Sequence, residues 1–73
     1  MNQFIIMKSS RAYDNPTPYN AYSNPQTCEE AGVERGKVYL NRDEAEQDAL
    51  KLGKANPVGF TVVELRDYKL QLP

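Results

Sequence analysis

Histidine and tryptophan are missing from this chain, and cysteine occurs once, at Cys28. Without histidine, a Ser–His or Cys–His nucleophile is excluded, and the commonest general acid–base group is gone. One cysteine cannot form an intramolecular disulfide, nor can it supply a structural zinc site, which takes about four sulfur or imidazole ligands. Glycine is sparse: Gly32, Gly36, Gly53 and Gly59 are scattered and make no phosphate-binding loop. Neither charge is in excess, since 9 Lys plus Arg and 10 Asp plus Glu leave a net charge of -1. That is neither the basic footprint of a nucleic-acid binder nor the acidic coat that imitates a DNA backbone. The apolar runs, Phe4 to Met7 and Val62 to Val63, fall far short of the roughly 20 residues that span a bilayer. Met1-Asn2-Gln3 lacks the basic start and long apolar core of a signal peptide. The expectation is a fold that begins at its first strand, with no membrane segment, in a reducing cytoplasm.

At 73 residues the chain is expected to be a single domain, 1–73. A domain of this size buries only about 60% of its unfolded surface. Such small scaffolds usually add a disulfide, a metal or a partner subunit. With the first two excluded, a homodimer or a tight partner is the expected staple.

What is present is a strand–helix–strand pattern from Lys37 to Arg66, preceded by a loop rich in Tyr, Asn and Pro. Gln3 to Ser9 reads as a first strand, its run Phe4–Met7 suiting a strand covered on both faces or central in a small sheet. Arg11 to Gln26 then breaks all periodicity. Pro16, Pro18 and Pro25 remove three donors and push Asn15, Thr17 and Asn24 toward extended backbone. Loops longer than about 12–15 residues are usually functional or disordered. Tyr13, Tyr19 and Tyr22 argue against plain disorder, because disordered segments are poor in aromatics.

Thr27 to Ala31 reads as one helical turn, with Thr27 as N-cap, Glu30 closing a capping box and Gly32 ending it. Lys37 to Leu40 reads as a short strand, with Val38 and Leu40 on one face and Tyr39 on the other. Asn41 predicts the N-cap of a helix from Arg42 to Leu52 or Ala55, with Glu44 at its N3 position. Asp43 and Glu44 in its first turn and Lys51 and Lys54 in its last complement the helix dipole. Ala45, Ala49 and Leu52 share one face; Leu50 lies off it, left for a flank or a partner. Asn56-Pro57 stops the helix, and Gly59 to Arg66 predicts a last strand, Phe60 and Val62 on one side and Thr61, Val63 and Leu65 on the other. Tyr68, Leu70 and Leu72 alternate in the tail, which suits an extension of that strand or a wrap over the core. The expected fold is α+β: a three-stranded sheet with one packed helix, in the order β-loop-β-α-β.

Three features have a functional and a bland reading. The carboxylates Asp43, Glu44, Glu46 and Asp48 suit a solvated helix face. A metal held by Asp43, Glu44 and Asp48 would lack any recognised ligand spacing, so no metal and no cofactor are expected. Cys28 suits a small buried hydrophobe better than a reactive thiol, since Glu29 and Glu30 beside it oppose thiolate formation. The loop tyrosines either fold back over an open sheet face or form a contact surface, a role in which tyrosine is enriched. The candidate partner-binding residues are Tyr13, Asn15, Tyr19, Asn20 and Tyr22, with Asp43, Glu44 and Asp48 as a second surface suited to a basic target. Nucleic acid is disfavoured, because Arg11 is the one basic residue in the loop and Asp14 sits beside it.

The stretches Val38-Tyr39-Leu40-Asn41-Arg42-Asp43-Glu44-Ala45-Glu46-Gln47-Asp48-Ala49 and Gly59-Phe60-Thr61-Val62-Val63-Glu64-Leu65 resemble a class of small accessory proteins of bacteriophages and prophages. These read as a strand, a capped acidic helix and a second strand, and the likeness covers under half of the chain. The resemblance implies an intracellular protein of an infected bacterium that binds and blocks a host or defence protein, as anti-CRISPR and anti-restriction inhibitors do. It carries no site residue across, because the class shares no site. The expected function is therefore a non-enzymatic binding protein that inhibits or redirects a larger protein. A small dimeric nucleic-acid-associated regulatory domain is the alternative, and an enzyme would need a carboxylate-only mechanism or a bound cofactor.

Overall fold

The computed structural model describes residues 2–65; Met1, Arg66 and the alternating tail lie outside the described residues. Its centre is the strand β1 (Phe4–Lys8), whose first four residues are all buried. A core cluster covers each of its faces, and both of its edges are occupied. On one edge β2 (Phe60–Glu64) runs antiparallel, with Ile6 opposite Val62. On the other, Tyr39 and Phe4 exchange two backbone hydrogen bonds of 2.8 Å, and the Tyr22 amide donates to the Ile6 carbonyl at 2.7 Å.

The sheet is therefore two-stranded, and the expected third strand, Lys37–Leu40, is reduced to a single bridge at Tyr39. The reason is competition for one edge. A strand continuing from Tyr39 would meet Ile6 next, but Tyr22 already holds that carbonyl. The Tyr22 carbonyl in turn accepts from the Gly36 amide at 2.9 Å. Gly36 turns the chain with φ +61°, and Asn41 opens a helix at the other end, so too few residues remain to build a ladder.

Two helices replace the expected one. The first, α1 (Pro25–Ala31), begins earlier than the Thr27 capping box predicts. Asn24 is its N-cap, the side chain accepting from the Thr27 amide at 3.0 Å, and Pro25 takes the first helical position, where a missing N–H costs nothing. Gly32 ends it as expected, in the left-handed region at φ +71°. The second helix, α2 (Arg42–Ala55), has the predicted cap: Asn41 Oδ1 accepts from the Glu44 amide at 3.2 Å. The aperiodic loop expected over Arg11–Gln26 is entered through a 3-10 turn, Ser9–Arg11, contains a second, Pro18–Asn20, and gives its last two residues to α1.

Alternation along the strands divides the core in two. Phe4 and Ile6, backed by Phe60 and Val62, face α2 and pack with Cys28, Val33, Tyr39, Ala45 and Leu52. Ile5, Met7 and Leu65 face the other way and pack with Ala21, Val38 and Val63. The faces expected for β2 are thus observed, as is the Ala45–Ala49–Leu52 stripe of α2, with Ala49 half-buried. Because β2 returns antiparallel to β1, α2 runs alongside β1. Its N-terminus lies by Phe4 and Glu64, and the short connection 56–59 carries the chain from its C-terminus to Phe60.

Candidate functional site

The loop that leaves β1 is tied down at both ends. The Ser9 hydroxyl shares a 2.8 Å hydrogen bond with that of Thr61, and the Ser9 amide donates to the Gly59 carbonyl at 3.0 Å. At the far end Ala21 is buried in the second core cluster, and Tyr22 sets its ring edge-on to Phe60, 4.8 Å between centroids. Between these anchors the loop braces itself. Arg11 pairs with Asp14 at 2.5 Å, and the Asn20 side-chain amide donates to the Asn15 carbonyl. The Asn20 amide closes the turn on Thr17 at 2.9 Å.

Three tyrosines meet two fates here. Tyr22 is half-buried core, whereas Tyr13 is 97% and Tyr19 91% exposed. Asn15 and Asn20 are exposed on the same braced segment. Tyr19 and Asn20 also line a shallow cleft of about 390 Å³ with Lys8, Arg11, Asp14 and Tyr22. These contacts hold the loop backbone, while the Tyr13 and Tyr19 rings stand almost fully in solvent.

The acidic residues sit at the opposite end of the sheet, and most are neutralised within the chain. Glu44 pairs with Lys37 at 3.8 Å, and Arg42 lies between Glu46 at 3.7 Å and Glu64 at 4.0 Å. Asp48 is pinned twice: it accepts from the Tyr39 hydroxyl at 2.5 Å and pairs with Lys51 at 3.6 Å. Among the described residues Asp43 alone of Asp43, Glu44 and Asp48 forms no ion pair, and no cluster of three carboxylate or thiol side chains is arranged to hold a metal ion. The structure thus groups Tyr13, Asn15, Tyr19 and Asn20, sends Tyr22 inward, and places Asp43, Glu44 and Asp48 elsewhere.

Two groups are electrostatically displaced. Burial pushes the Tyr39 hydroxyl far above the ordinary tyrosine value, reinforced by its hydrogen bond to Asp48 and by the charges of Asp48 and Glu44. Burial also raises the Cys28 thiol, against the opposing pull of Arg35. Cys28 is enclosed in the main core cluster, so it fills space as a protonated apolar group.

The bracing residues Arg11 and Asp14 were not among the sequence candidates, although an Arg-x-x-Asp spacing at a turn was the signal for them. The Tyr39–Asp48 contact had a signal too: a tyrosine on the buried face of a strand needs a hydrogen-bond partner, and Asp48 lies on the helix that follows.

These features define a small α+β domain that presents two tyrosines on a braced loop. No family model, curated protein or solved structure compared with the chain matches it. No helix among the described residues is long and apolar enough to cross a membrane.

Proposed function

We propose that the chain is a non-enzymatic binding protein that engages a larger protein through the loop carrying Tyr13 and Tyr19. The observation that carries this reading is the near-complete exposure of both rings on a loop fixed by the Arg11–Asp14 pair, the Asn20–Asn15 contact and the Tyr22 anchor. Exposed aromatic residues normally carry a cost in solubility, and a braced pair of them suits a contact surface. Asn15 and Asn20 supply adaptable polar contacts beside them. The absence of histidine supports a steric rather than a catalytic role. The resemblance of the strand–helix–strand stretch to small bacteriophage proteins extends the proposal: the partner is a host or defence protein in a bacterial cytoplasm, blocked or redirected as by anti-CRISPR or anti-restriction inhibitors.

The test is affinity purification from a bacterial host, with the native chain beside a Tyr13→Ala/Tyr19→Ala double variant. The expected result is one host protein in near-stoichiometric amount with the native chain and its loss with the variant. Equal recovery by both would overturn the loop as the contact. Recovery of nucleic acid alone would favour the regulatory-domain alternative, for which Lys8 and Arg11 at the cleft are the relevant charges.

A further inference from the structure

We propose that the outer edge of β2, together with the flank of α2 above it, is the interface of a symmetric homodimer. The hydrogen-bond phase of the sheet fixes which groups face outward. The Leu65 amide donates to the Gln3 carbonyl at 2.7 Å and the Ser9 amide to the Gly59 carbonyl at 3.0 Å. Odd-numbered residues of β2 therefore bond to β1, and Phe60, Val62 and Glu64 turn their amides and carbonyls away from it. No strand among the described residues takes up those groups. The segment Phe-Thr-Val-Val-Glu carries no proline, lysine or bulge, the usual devices that stop an edge from pairing.

A second copy fits this edge through a two-fold axis at Val62. In that register Val62 opposes Val62, Thr61 opposes Val63, and Phe60 opposes Glu64. The three outward-facing residues of each copy exchange about six hydrogen bonds, more than a shifted two-fold register gives. Glu64 does not face Glu64, so no like charges stand directly opposed.

The helix contributes on the same side. Arg42 reaches both Glu46 and Glu64, so the Arg42–Glu46 flank of α2 overlies β2. Asp48 and Glu44, bound to Tyr39 and Lys37, mark the opposite flank. Leu50 follows Glu46 by one turn and is 69% exposed. Gly53 follows by two turns, and a Cβ there would meet nothing within 4 Å. Five strand residues span about 13 Å, the length of about nine helical residues. With Arg42 set against Glu64, the level of Val62 falls beside Glu46, and Leu50 lies one turn further on, level with Phe60. The axis that pairs the strand edges therefore sets the two copies of α2 antiparallel across the seam, with Leu50 of each copy level with Phe60. The product is a four-stranded antiparallel sheet with two helices on one face and a tyrosine loop on each copy.

The test is sedimentation of the full chain from about 1 μM to about 1 mM, with amide hydrogen exchange read residue by residue. A monomer–dimer equilibrium is expected, in which the Val62 and Glu64 amides gain protection as concentration rises. The Thr61 and Val63 amides are protected throughout. Val62→Pro removes an amide that β1 does not use, so it should weaken dimerisation at least tenfold while the dilute protein keeps its Thr61 and Val63 protection. A monomer at every concentration overturns the proposal. So does a dimer whose Val62 amide stays unprotected, or protection of that amide independent of concentration. Because the loop is not part of this interface, the Tyr13→Ala/Tyr19→Ala variant should dimerise like the native chain.

Discussion

The Tyr39 hydroxyl donates a 2.5 Å hydrogen bond to Asp48, joining the bridge on the β1 edge to the second turn of α2. Tyr39 is 2% exposed, and Lys37 lies 4.9 Å from the centre of its ring. An ionised phenolate would be buried beside a carboxylate, which is why the proton is held so firmly. The group's folded-state value is raised, so its contribution to stability is intact below the ordinary tyrosine value of about 10 and declines as pH rises above it. Tyr39→Phe should cost about 1–2 kcal/mol at neutral pH, since Asp48 loses one partner and keeps Lys51. Above about pH 10 the gap between the native chain and the variant should narrow, because only the native chain resists this ionisation. Urea denaturation of both proteins from pH 7 to 12 checks it; parallel stability curves would show that Tyr39 does not set the alkaline limit.

The three loop tyrosines should separate cleanly in a stability assay. Tyr13→Ala and Tyr19→Ala remove rings that touch almost nothing, so each should change stability by no more than about 0.5 kcal/mol. Tyr22→Ala removes a ring packed edge-on against Phe60 in the main cluster and should cost about 2–4 kcal/mol. In a domain of this length each kcal/mol moves the melting point by about 4–8 °C, so thermal scans suffice. A large drop for Tyr13→Ala or Tyr19→Ala would make those residues core cover and remove the motive for the binding reading.

Much of this architecture was legible because it is locally encoded. The Asn41 cap, the Ala45–Ala49–Leu52 stripe and the two faces of Phe60–Leu65 each follow from residues within a turn or two of one another. The third strand fails to form for the opposite reason. Lys37–Leu40 has strand-like alternation, but whether it pairs depends on Tyr22, which is distant in sequence and takes the Ile6 carbonyl first. The sorting of Tyr22 from Tyr13 and Tyr19 is likewise non-local: all three stand in similar Asn- and Pro-rich surroundings, and contacts with Ile6, Gly36 and Phe60 single out Tyr22. The acidic helix face looked more available in sequence than in space, because Lys37 and Glu64 reach it from other elements.

The start of α1 at the Asn24 cap, three residues before the Thr27 cap that the sequence predicts, can be checked directly. Asn24→Ala should cost about 1 kcal/mol through the lost hydrogen bond to the Thr27 amide, while Asn24→Asp should be nearly neutral. Gly32→Ala, at the other end of α1, should cost about 1 kcal/mol through its positive φ alone, because the added Cβ meets no neighbour. Gly59→Ala should cost more, since φ is +88° and the new Cβ would lie 3.2 Å from the Ser9 hydroxyl that anchors the loop. If Gly59→Ala proves as mild as Gly32→Ala, the Ser9–Thr61 anchor is not constraining that corner.

The two candidate surfaces predict different responses to salt once a partner is in hand. A contact made by Tyr13 and Tyr19 with Asn15 and Asn20 is uncharged, so its affinity should change less than about threefold as ionic strength rises to 1 M, where the screening length is about 3 Å. A contact made by Asp43, Glu44 and Asp48 with a basic partner should weaken far more, and Asp43→Asn should reproduce part of that loss, because Asp43 forms no ion pair among the described residues. Glu44 and Asp48 are already engaged by Lys37, Lys51 and Tyr39, and a partner would have to displace those contacts. Titration at low and high salt therefore assigns the surface. Salt-insensitive binding abolished by Tyr13→Ala and Tyr19→Ala places the contact on the loop. Salt-sensitive binding reduced by Asp43→Asn places it on the helix, and the loop tyrosines would then have no part in recognition.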